Sequence, residues 1–290
     1  MRHIAWTSDC GLTVVFDSAG PFYFKELIDS LGATAETVKA PRQDGSTTYY
    51  TALDTRSVTL NGTMLVYGDK NHPARAEYDK KRALLAEAFS PNRWGTLIYY
   101  REDGPVQLRC RPLATPTISA PVGVWSTVDI DFTTDSPFWL SAQEYVICLG
   151  VIMRYRHFPW APVRGPLGAF SRYAVVENPS QEDIFPTAEI YTTGQYVTLT
   201  NMTTGEHATI EHPVSDGQKL VVDLRDVSAT LWTRDEAGDY NQPEDVSHWL
   251  SLDSQPWGLK PGVNQTVITN DVPEDTPLTF LRYRVPSLGV

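Results

Sequence analysis

Hydrolytic catalysis needs paired carboxylates or an activated nucleophile, so the acidic residues are the first to weigh. Asp129 and Asp131 are the best-spaced pair, because an interval of two residues places both side chains on one face of a β-strand. The same spacing is typical of a strand surface that faces solvent. Because Asp is rarely buried without a partner, the solvent-facing interpretation is favoured.

The six histidines are scattered along the chain. His207 and His212 are five residues apart in a strand-like stretch, which predicts opposite faces and no shared metal. His248, beside Trp249 and close to Asp245, is typical of a surface or packing residue. The sequence contains no Gly-x-Ser-x-Gly elbow, phosphate-binding loop or dinucleotide fingerprint. We therefore predict that the chain is not an enzyme and has no catalytic residue, metal or cofactor.

Three tryptophans in the second half, Trp232, Trp249 and Trp257, are candidates for contact with a glycan or a protein partner. Trp combines a large apolar ring with a polar N–H, and this makes it common in cores and subunit contacts as well. A place in the core or in a subunit contact is the favoured interpretation for each of them. A carbohydrate-binding adhesion module that recognises host cell-wall glycan remains the alternative function, and a glycan hydrolase a third.

The bulk composition indicates a folded protein of two domains or one large β domain. The 290 residues are 41% hydrophobic and 20% charged, which argues against disorder. The net charge of −11 argues against a protein that binds by neutralising DNA phosphates or an anionic membrane surface. Most of the excess acid lies in residues 151–290, which hold 18 acidic and 10 basic residues, against 17 and 14 in residues 1–150.

Cysteine spacing and hydropathy add two expectations. Cys10, Cys110 and Cys148 show no disulfide or zinc spacing, so we predict reduced thiols buried as small hydrophobes. No apolar run approaches about 18 residues, so we predict no insertion into a membrane.

Alternation of apolar and polar residues dominates the chain and predicts antiparallel strands. The clearest alternating segments are 58–66, 128–132, 197–199 and 220–224. One convincing helix is predicted from a capping residue at Asn71, through Pro73, to about Phe89. Its apolar stripe is Tyr78, Leu85, Ala88 and Phe89, and Glu77 and Lys81 form a pair on its outer face. A weaker helical turn is predicted at residues 25–31.

These elements predict two domains joined by an irregular segment. The first covers residues 1–149 and combines strands with the helix. Residues 150–170, rich in proline, glycine and aromatic residues, form a connector or extended arm. Residues 171–290 form a second domain of short strands with no helix, a sandwich or barrel pattern. We also expect a loop of about twenty residues around Arg234–Asp253.

Ordered motifs in both halves resemble those of siphophage distal tail (Dit) proteins. In the first half, a Pro-x-x-Asp-Gly loop leads into a strand reading Arg-x-(apolar)-x-Leu-x-Gly, and a later strand ends in Ser-Pro-Phe-Trp. The second half carries Pro-x-(apolar)-x-(apolar), Asn-x-x-Thr-Gly and Leu-x-Pro-Gly-x-Asn. In this sequence the motifs fall at Pro41–Gly45, Arg56–Gly62, Ser136–Trp139, Pro186–Ile190, Asn201–Gly205 and Leu259–Asn264.

This resemblance implies a mainly β fold: an N-terminal, tail-tube-like β-sandwich with one α-helix and a C-terminal galectin-like or OB-like β-sandwich. It implies a homohexameric ring in the tail tip, or baseplate, of the virion. The ring would join the tail-tube protein to the tail-tip hub and leave a channel through which DNA passes without specific binding. Further expected partners are a receptor-binding protein or host glycan, and assembly is expected in the host cytoplasm.

Overall fold

The computed structural model describes residues 2–42, 44–67, 74–149, 151–154, 168–171, 173–191, 196–235, 237–270 and 278–289. Antiparallel strands dominate these residues, with one α-helix and one short 3-10 helix. In chain order the elements are β1 (His3–Ser8), β2 (Thr13–Phe16), β3 (Phe22–Val38), β4 (Thr47–Leu65), α1 (Ala74–Ala88), β5 (Gly95–Tyr100), β6 (Val106–Pro112), β7 (Thr117–Ile118), β8 (Trp125–Thr133), β9 (Trp139–Ser141), β10 (Tyr145–Leu149), β11 (Val151–Arg154), β12 (Gly168–Ser171), β13 (Tyr173–Asn178), β14 (Thr187–Tyr191), β15 (Val197–Asn201), β16 (His207–Ile210), β17 (Gln218–Asp223), β18 (Ser228–Arg234), β19 (Tyr240–Asp245), η1 (Ser247–Trp249), β20 (Gly262–Asn270), β21 (Leu278–Tyr283) and β22 (Pro286–Ser287). Among the described residues, no helix is long and apolar enough to cross a membrane.

The chain divides into two compact units, and the end of the chain belongs to the first. Unit 1 consists of residues 1–143 and 286–290, and unit 2 of residues 144–285. The sequence pattern instead places the first boundary after residue 149 and the last residues in the second domain. Most of the predicted connector, 150–170, lies outside the described residues, and its described ends pair as β11 and β12.

One continuous sheet in the order β2-β1-β5-β6-β8-β4-β3 surrounds the core of unit 1. Apolar and polar residues alternate along its strands, as the sequence predicts. The inward side chains of β4 and β8 are buried, and the outward ones are exposed or half-buried. Gly62 is an inward position where a side chain has no room. A Cβ there would lie 2.8 Å from the Phe16 ring and 2.9 Å from the Tyr23 carbonyl oxygen. This close approach is a physical reason for the glycine that ends the Arg-x-(apolar)-x-Leu-x-Gly motif.

The helix α1 closes this core with the predicted apolar stripe. Leu85, Ala88 and Phe89 are fully buried, and Phe89 contacts the rings of Trp6 and Phe132. Glu77 and Lys81 form the expected ion pair at 3.1 Å. The predicted capping residue Asn71 and the proline that follows it lie outside the described residues. The helical turn predicted at residues 25–31 is wrong.

Those residues belong to β3, because their backbone pairs with β4. Leu27 lies opposite Leu60, a fully buried member of the core. Tertiary pairing therefore overrides a weak local helical preference in this segment.

Unit 2 is a two-layer β-sandwich. A six-stranded sheet, β10-β21-β14-β17-β18-β19, packs on a four-stranded sheet, β13-β20-β15-β16, around one apolar cluster. The predicted strands at 197–199 and 220–224 correspond to β15 and β17. The expected long loop at Arg234–Asp253 is wrong in part, because residues 240–245 pair with β18 as an added strand, β19.

Three buried asparagines hold the closing turn of unit 2. Asn178 donates to the carbonyl of Leu259 at 2.8 Å, and Asn201 donates to that of Gly258 at 2.8 Å. The side chain of Asn264 accepts from the backbone N–H of Lys260 and donates to its carbonyl. Buried amides are stable only when they are hydrogen-bonded, so these contacts hold the Leu-x-Pro-Gly-x-Asn turn in one conformation.

A buried arginine ties four separate segments of unit 1 together. The side chain of Arg56 is 1% exposed and forms an ion pair with the carboxylate of Asp29. Its Nε donates to the carbonyl oxygen of Pro137 at 2.7 Å, and its Nη2 donates to that of Leu288 at 2.6 Å. Trp139 donates its indole N–H to the same Asp29 oxygen at 3.2 Å. The arginine of one motif thus binds the Ser-Pro-Phe-Trp motif and the returning C-terminal segment.

We expect Arg56→Met to lower the free energy of unfolding of unit 1 by about 3–5 kcal/mol, because it leaves the Asp29 carboxylate without its cation. Urea unfolding followed by tryptophan fluorescence measures the change. The matched control is Arg109→Met, which removes an exposed ion pair with Asp9 and should cost at most about 1 kcal/mol. Equal losses in the two variants would contradict the role assigned to Arg56.

Candidate functional site

The longest hairpin of unit 1 extends past its core. Strand β4 pairs with β8 only from Ser57 onward, whereas its earlier residues pair with β3 alone. Residues 30–38 and 47–56 therefore form a two-stranded ribbon, here called the projecting ribbon. Apart from Arg56, its side chains are exposed or half-buried. A two-stranded ribbon is marginally stable in water without further packing, so this segment favours contact with a partner.

Large apolar side chains on the projecting ribbon support this interpretation. Tyr49 and Tyr50 are 71% and 60% exposed, and Val38 is 55% exposed. Single exposed hydrophobic residues are common on protein surfaces, but several on one projecting element mark an interaction surface. The ribbon therefore combines apolar side chains with backbone edges on which another strand can pair.

The sheet of unit 1 also ends in two edge strands. Within the part of the chain that the structure describes, β2 pairs only with β1 and β3 only with β4. Open edges expose N–H and C=O groups that can pair with a second chain. The two edges differ, so contact between them joins unlike surfaces of two copies.

The outward positions of β4 and β8 carry two carboxylates and no basic side chain, and Arg111 of β6 lies opposite Thr133 at the end of this surface. Its outward positions from Ser57 to Thr63 and from Trp125 to Thr133 carry Ser, Thr, Asn, Trp and Asp residues. Asp129 and Asp131 lie here, both exposed, and the hydroxyl of Thr59 donates to Asp131 at 2.6 Å. We call this surface the acidic face. Asp129 and Asp131 therefore lie on a solvent-facing strand surface, as the favoured interpretation of their spacing predicts.

The histidine candidates do not come together as a metal site. His207 lies 3.4 Å from the carboxylate of Asp253, whereas His212 follows the end of β16 and stacks on Trp249 at 4.0 Å. His248 is exposed and contacts the edge of the same indole. Among the described residues, no group of three His, Cys, Asp or Glu side chains is placed to hold a metal ion.

The three candidate tryptophans occupy three different environments. Trp257 is 1% exposed in the core of unit 2, so its ring is not available to a glycan or partner. Trp249 is half-buried against that core and covered on one face by His212. Trp232 is half-buried on the outward face of the six-stranded sheet. The role of the three residues in ligand or partner contact stays a prediction, and geometry favours Trp232 among them.

Trp232 belongs to a cluster of aromatic and charged residues, here called the aromatic face. Strand register places Tyr191, Lys219 and Trp232 directly opposite one another across β14, β17 and β18. The Lys219 ammonium lies 5.1 Å from the ring centre of Tyr240 and 6.0 Å from that of Trp232. The Tyr191 ring meets that of Tyr240 at 6.2 Å, edge to face.

A carboxylate organises the charges of the aromatic face. Burial raises the pKa of Glu189, but hydrogen bonds and charges from Arg282 and Lys219 outweigh it and hold the pKa below its usual value. Arg282 lies at 2.9 Å and Lys219 at 3.3 Å from this carboxylate, and Tyr191 donates its hydroxyl to it at 3.3 Å. Sequence reasoning missed this cluster because Tyr240 lies in the segment predicted as a loop.

Comparison with known proteins agrees with the sequence resemblance. Residues 13–126 match the family described as phage tail protein RIFT-related domain. No curated protein sequence matches the chain. The structure is similar to that of the Dit protein of phage SPP1, described as a paradigm of the hub adsorption apparatus in phages that infect Gram-positive bacteria. The TM-score is 0.64 at 12% identity, covering 98% of this chain and 99% of that one.

Two structures of the phage p2 baseplate in its activated conformation are also similar, one with strontium and one with calcium. Their TM-scores are 0.56 and 0.54 at 11% identity, with full coverage of both chains. The predicted mainly β fold and the resemblance to siphophage distal tail proteins are confirmed. The matched family and these neighbours are described as phage tail, Dit and baseplate proteins, which agrees with the prediction that the chain is not an enzyme.

The cysteines differ from the expectation of three buried thiols. Cys110 is buried, and burial raises its pKa. Cys148 is half-buried, and burial raises its pKa as well. Cys10 is exposed in the turn after β1, where the Ser8 hydroxyl and the guanidinium of Arg93 lower its pKa. The expectation of burial is therefore wrong for Cys10, because the turn that carries it lies outside the core.

We expect iodoacetamide to alkylate Cys10 first, because the thiolate is the reactive form and a lowered pKa populates it at a lower pH. The native protein is alkylated at pH values between about 6 and 9, and mass spectrometry measures the rate at each of the three cysteines. Cys148 should react more slowly and Cys110 only after unfolding. Cys10→Ser serves as the control that removes the fast phase. Labelling of Cys110 at the rate of Cys10 would contradict the packing described for the core.

Proposed function

We propose that this chain, which contains a phage tail RIFT-related domain and adopts the fold of a distal tail protein, is the ring-forming protein of a siphophage tail tip. Six copies would form a homohexameric ring that joins the tail-tube protein to the tail-tip hub and leaves a channel for DNA. The projecting ribbon carries this proposal, since it extends from the core of unit 1 with apolar side chains and edges that a neighbouring copy can cover.

A ring is compatible with the kind of contact that these surfaces favour. The edge of β2 and the ribbon edge of β3 are unlike surfaces, so a contact between two copies is heterologous. Heterologous contacts give a closed ring when the rotation between copies closes, and a filament when it does not. The number six is inherited from the resemblance to distal tail proteins.

The acidic face is the surface we assign to the channel. Carboxylates at Asp129 and Asp131, without a basic residue on the outward positions of these two strands, repel the phosphates of DNA. A basic lining would bind phosphates through release of counterions and would slow passage. The net charge of −11 is compatible with this assignment.

The same proposal assigns the remaining partners and the location. The protein is a virion component at the tail tip, assembled in the host cytoplasm. Unit 2 supplies two further sheets for contact with a receptor-binding protein or other hub components. Support for this step is the similarity of the full chain to the SPP1 protein and to a chain of the p2 baseplate.

We expect the purified chain to assemble into a hexamer, measured by size-exclusion chromatography with light scattering. Replacing Tyr49, Tyr50 and Leu53 by Ser should raise the concentration needed for half-assembly by about tenfold or more, because apolar burial on the ribbon is lost. Tyr173→Ser, which removes an exposed tyrosine in unit 2, is the matched control. A wild-type chain that stays monomeric with and without the tail-tube protein would refute the ring.

We expect the assembled ring to retain no duplex DNA, and the double variant Asp129→Lys/Asp131→Lys to retain it in a salt-dependent manner. Fluorescence anisotropy of a labelled DNA duplex, measured at low and high salt, distinguishes the wild-type ring from the double variant. Glu102→Lys/Asp103→Lys makes the same change of charge in the exposed turn between β5 and β6 and should leave DNA unbound. A channel lined mainly with Lys and Arg in the assembled ring would show this assignment to be wrong.

A further inference from the structure

The aromatic face holds four aromatic rings that lie outside the core of unit 2. Tyr191, Trp232, Tyr240 and Phe280 contribute nothing to the buried cluster between the sheets. They are half-buried against one another and against long charged side chains on the outward side of the six-stranded sheet. Core packing therefore does not account for four aromatic rings at these positions.

Two of these rings belong to a row of side chains that crosses four neighbouring strands. Tyr191, Lys219, Trp232 and Pro243 lie directly opposite one another on four neighbouring strands. Directly opposite side chains in antiparallel pairs have Cβ atoms about 4.5–5.5 Å apart, so the row is a broad, shallow platform. Its members are two aromatic rings, a proline ring and the aliphatic stem of a lysine, and these present C–H and π surfaces.

The charges around the platform are of both signs and paired. Glu189 bonds to Arg282 and Lys219, and Arg282 also bonds to Glu144 at 3.0 Å. A ligand with a large net charge would compete with these pairs and gain little. An uncharged ligand with many hydroxyl groups can donate to the carboxylates and accept from the ammonium and guanidinium groups while the pairs persist.

The geometry points to a binding site for a neutral saccharide on the aromatic face, with Trp232 and Tyr240 as the stacking rings and Lys219, Glu189 and Arg282 as hydrogen-bonding groups. A pyranose ring has an apolar C–H face and a hydroxyl rim, which matches aromatic rings bordered by fixed polar groups. The hydrogen bonds of Glu189 hold these groups in place before a ligand arrives, which lowers the entropy cost of binding. This site lies within unit 2 and does not depend on ring formation.

The test is a glycan array of neutral oligosaccharides built from glucose, galactose, rhamnose and N-acetylglucosamine, applied to the purified full chain. The tightest binder is then titrated by calorimetry. Trp232→Ala and Tyr240→Ala should each weaken binding by about tenfold or more, from the loss of one stacked ring. Tyr173→Ala, which removes an exposed tyrosine in the four-stranded sheet, is the matched control and should bind as the wild type does.

Circular dichroism establishes that each variant is folded. If Trp232→Ala does not fold, Tyr240→Ala on the edge strand and Lys219→Gln decide the outcome. Affinity should also be nearly the same at low and high salt, since the ligand is uncharged. No binder on the array, undiminished binding by Tyr240→Ala, or an affinity that falls steeply with salt would each overturn the proposal.

Discussion

The ion pair between the buried Arg56 and the half-buried Asp29 is the centre of the contacts that join distant segments of unit 1. Arg56 pairs with the carboxylate of Asp29 and also donates hydrogen bonds to the backbone carbonyl oxygens of Pro137 and Leu288. Burying a charge is costly unless it is paired and hydrogen-bonded, so the three partners of Arg56 together stabilise the buried cation. The C-terminal residues also pair with β9 through β22, and unit 2 is a segment between two parts of unit 1.

The core of unit 1 is closed, whereas its projecting ribbon is exposed. The core is closed by α1 and by the alternating strands. Among the described residues, the two strands of the projecting ribbon pair only with each other, and the ribbon exposes two tyrosines and a valine. A monomer gains little from such a ribbon, because two strands alone are marginal in water. In the proposed ring, a neighbouring copy would cover the apolar side chains and the open edges of the ribbon.

In unit 2, buried polar side chains fix a turn of the backbone. Asn178, Asn201 and Asn264 are buried, and their side chains bond to backbone groups of Leu259, Gly258 and Lys260, which hold the closing turn in one conformation. The outward side of the six-stranded sheet presents aromatic and charged residues. The cations Lys219 and Arg282 lie there beside Glu189, although the second half of the chain is acidic in composition.

Sequence alone determined the strands, the single helix and the family resemblance, because alternation and helical periodicity depend only on which residues face the core. It also indicated that the Asp and His candidates lack catalytic geometry. Only the tertiary structure decided the rest. The motif residues Arg56, Trp139 and Asn201 are positioned by partners that are distant in sequence, so their roles could not be deduced from spacing. Tyr240 pairs beside β18 although its segment resembles a loop, and Trp257 is buried whereas Trp232 is not. These outcomes depend on long-range pairing and burial, which local pattern does not encode.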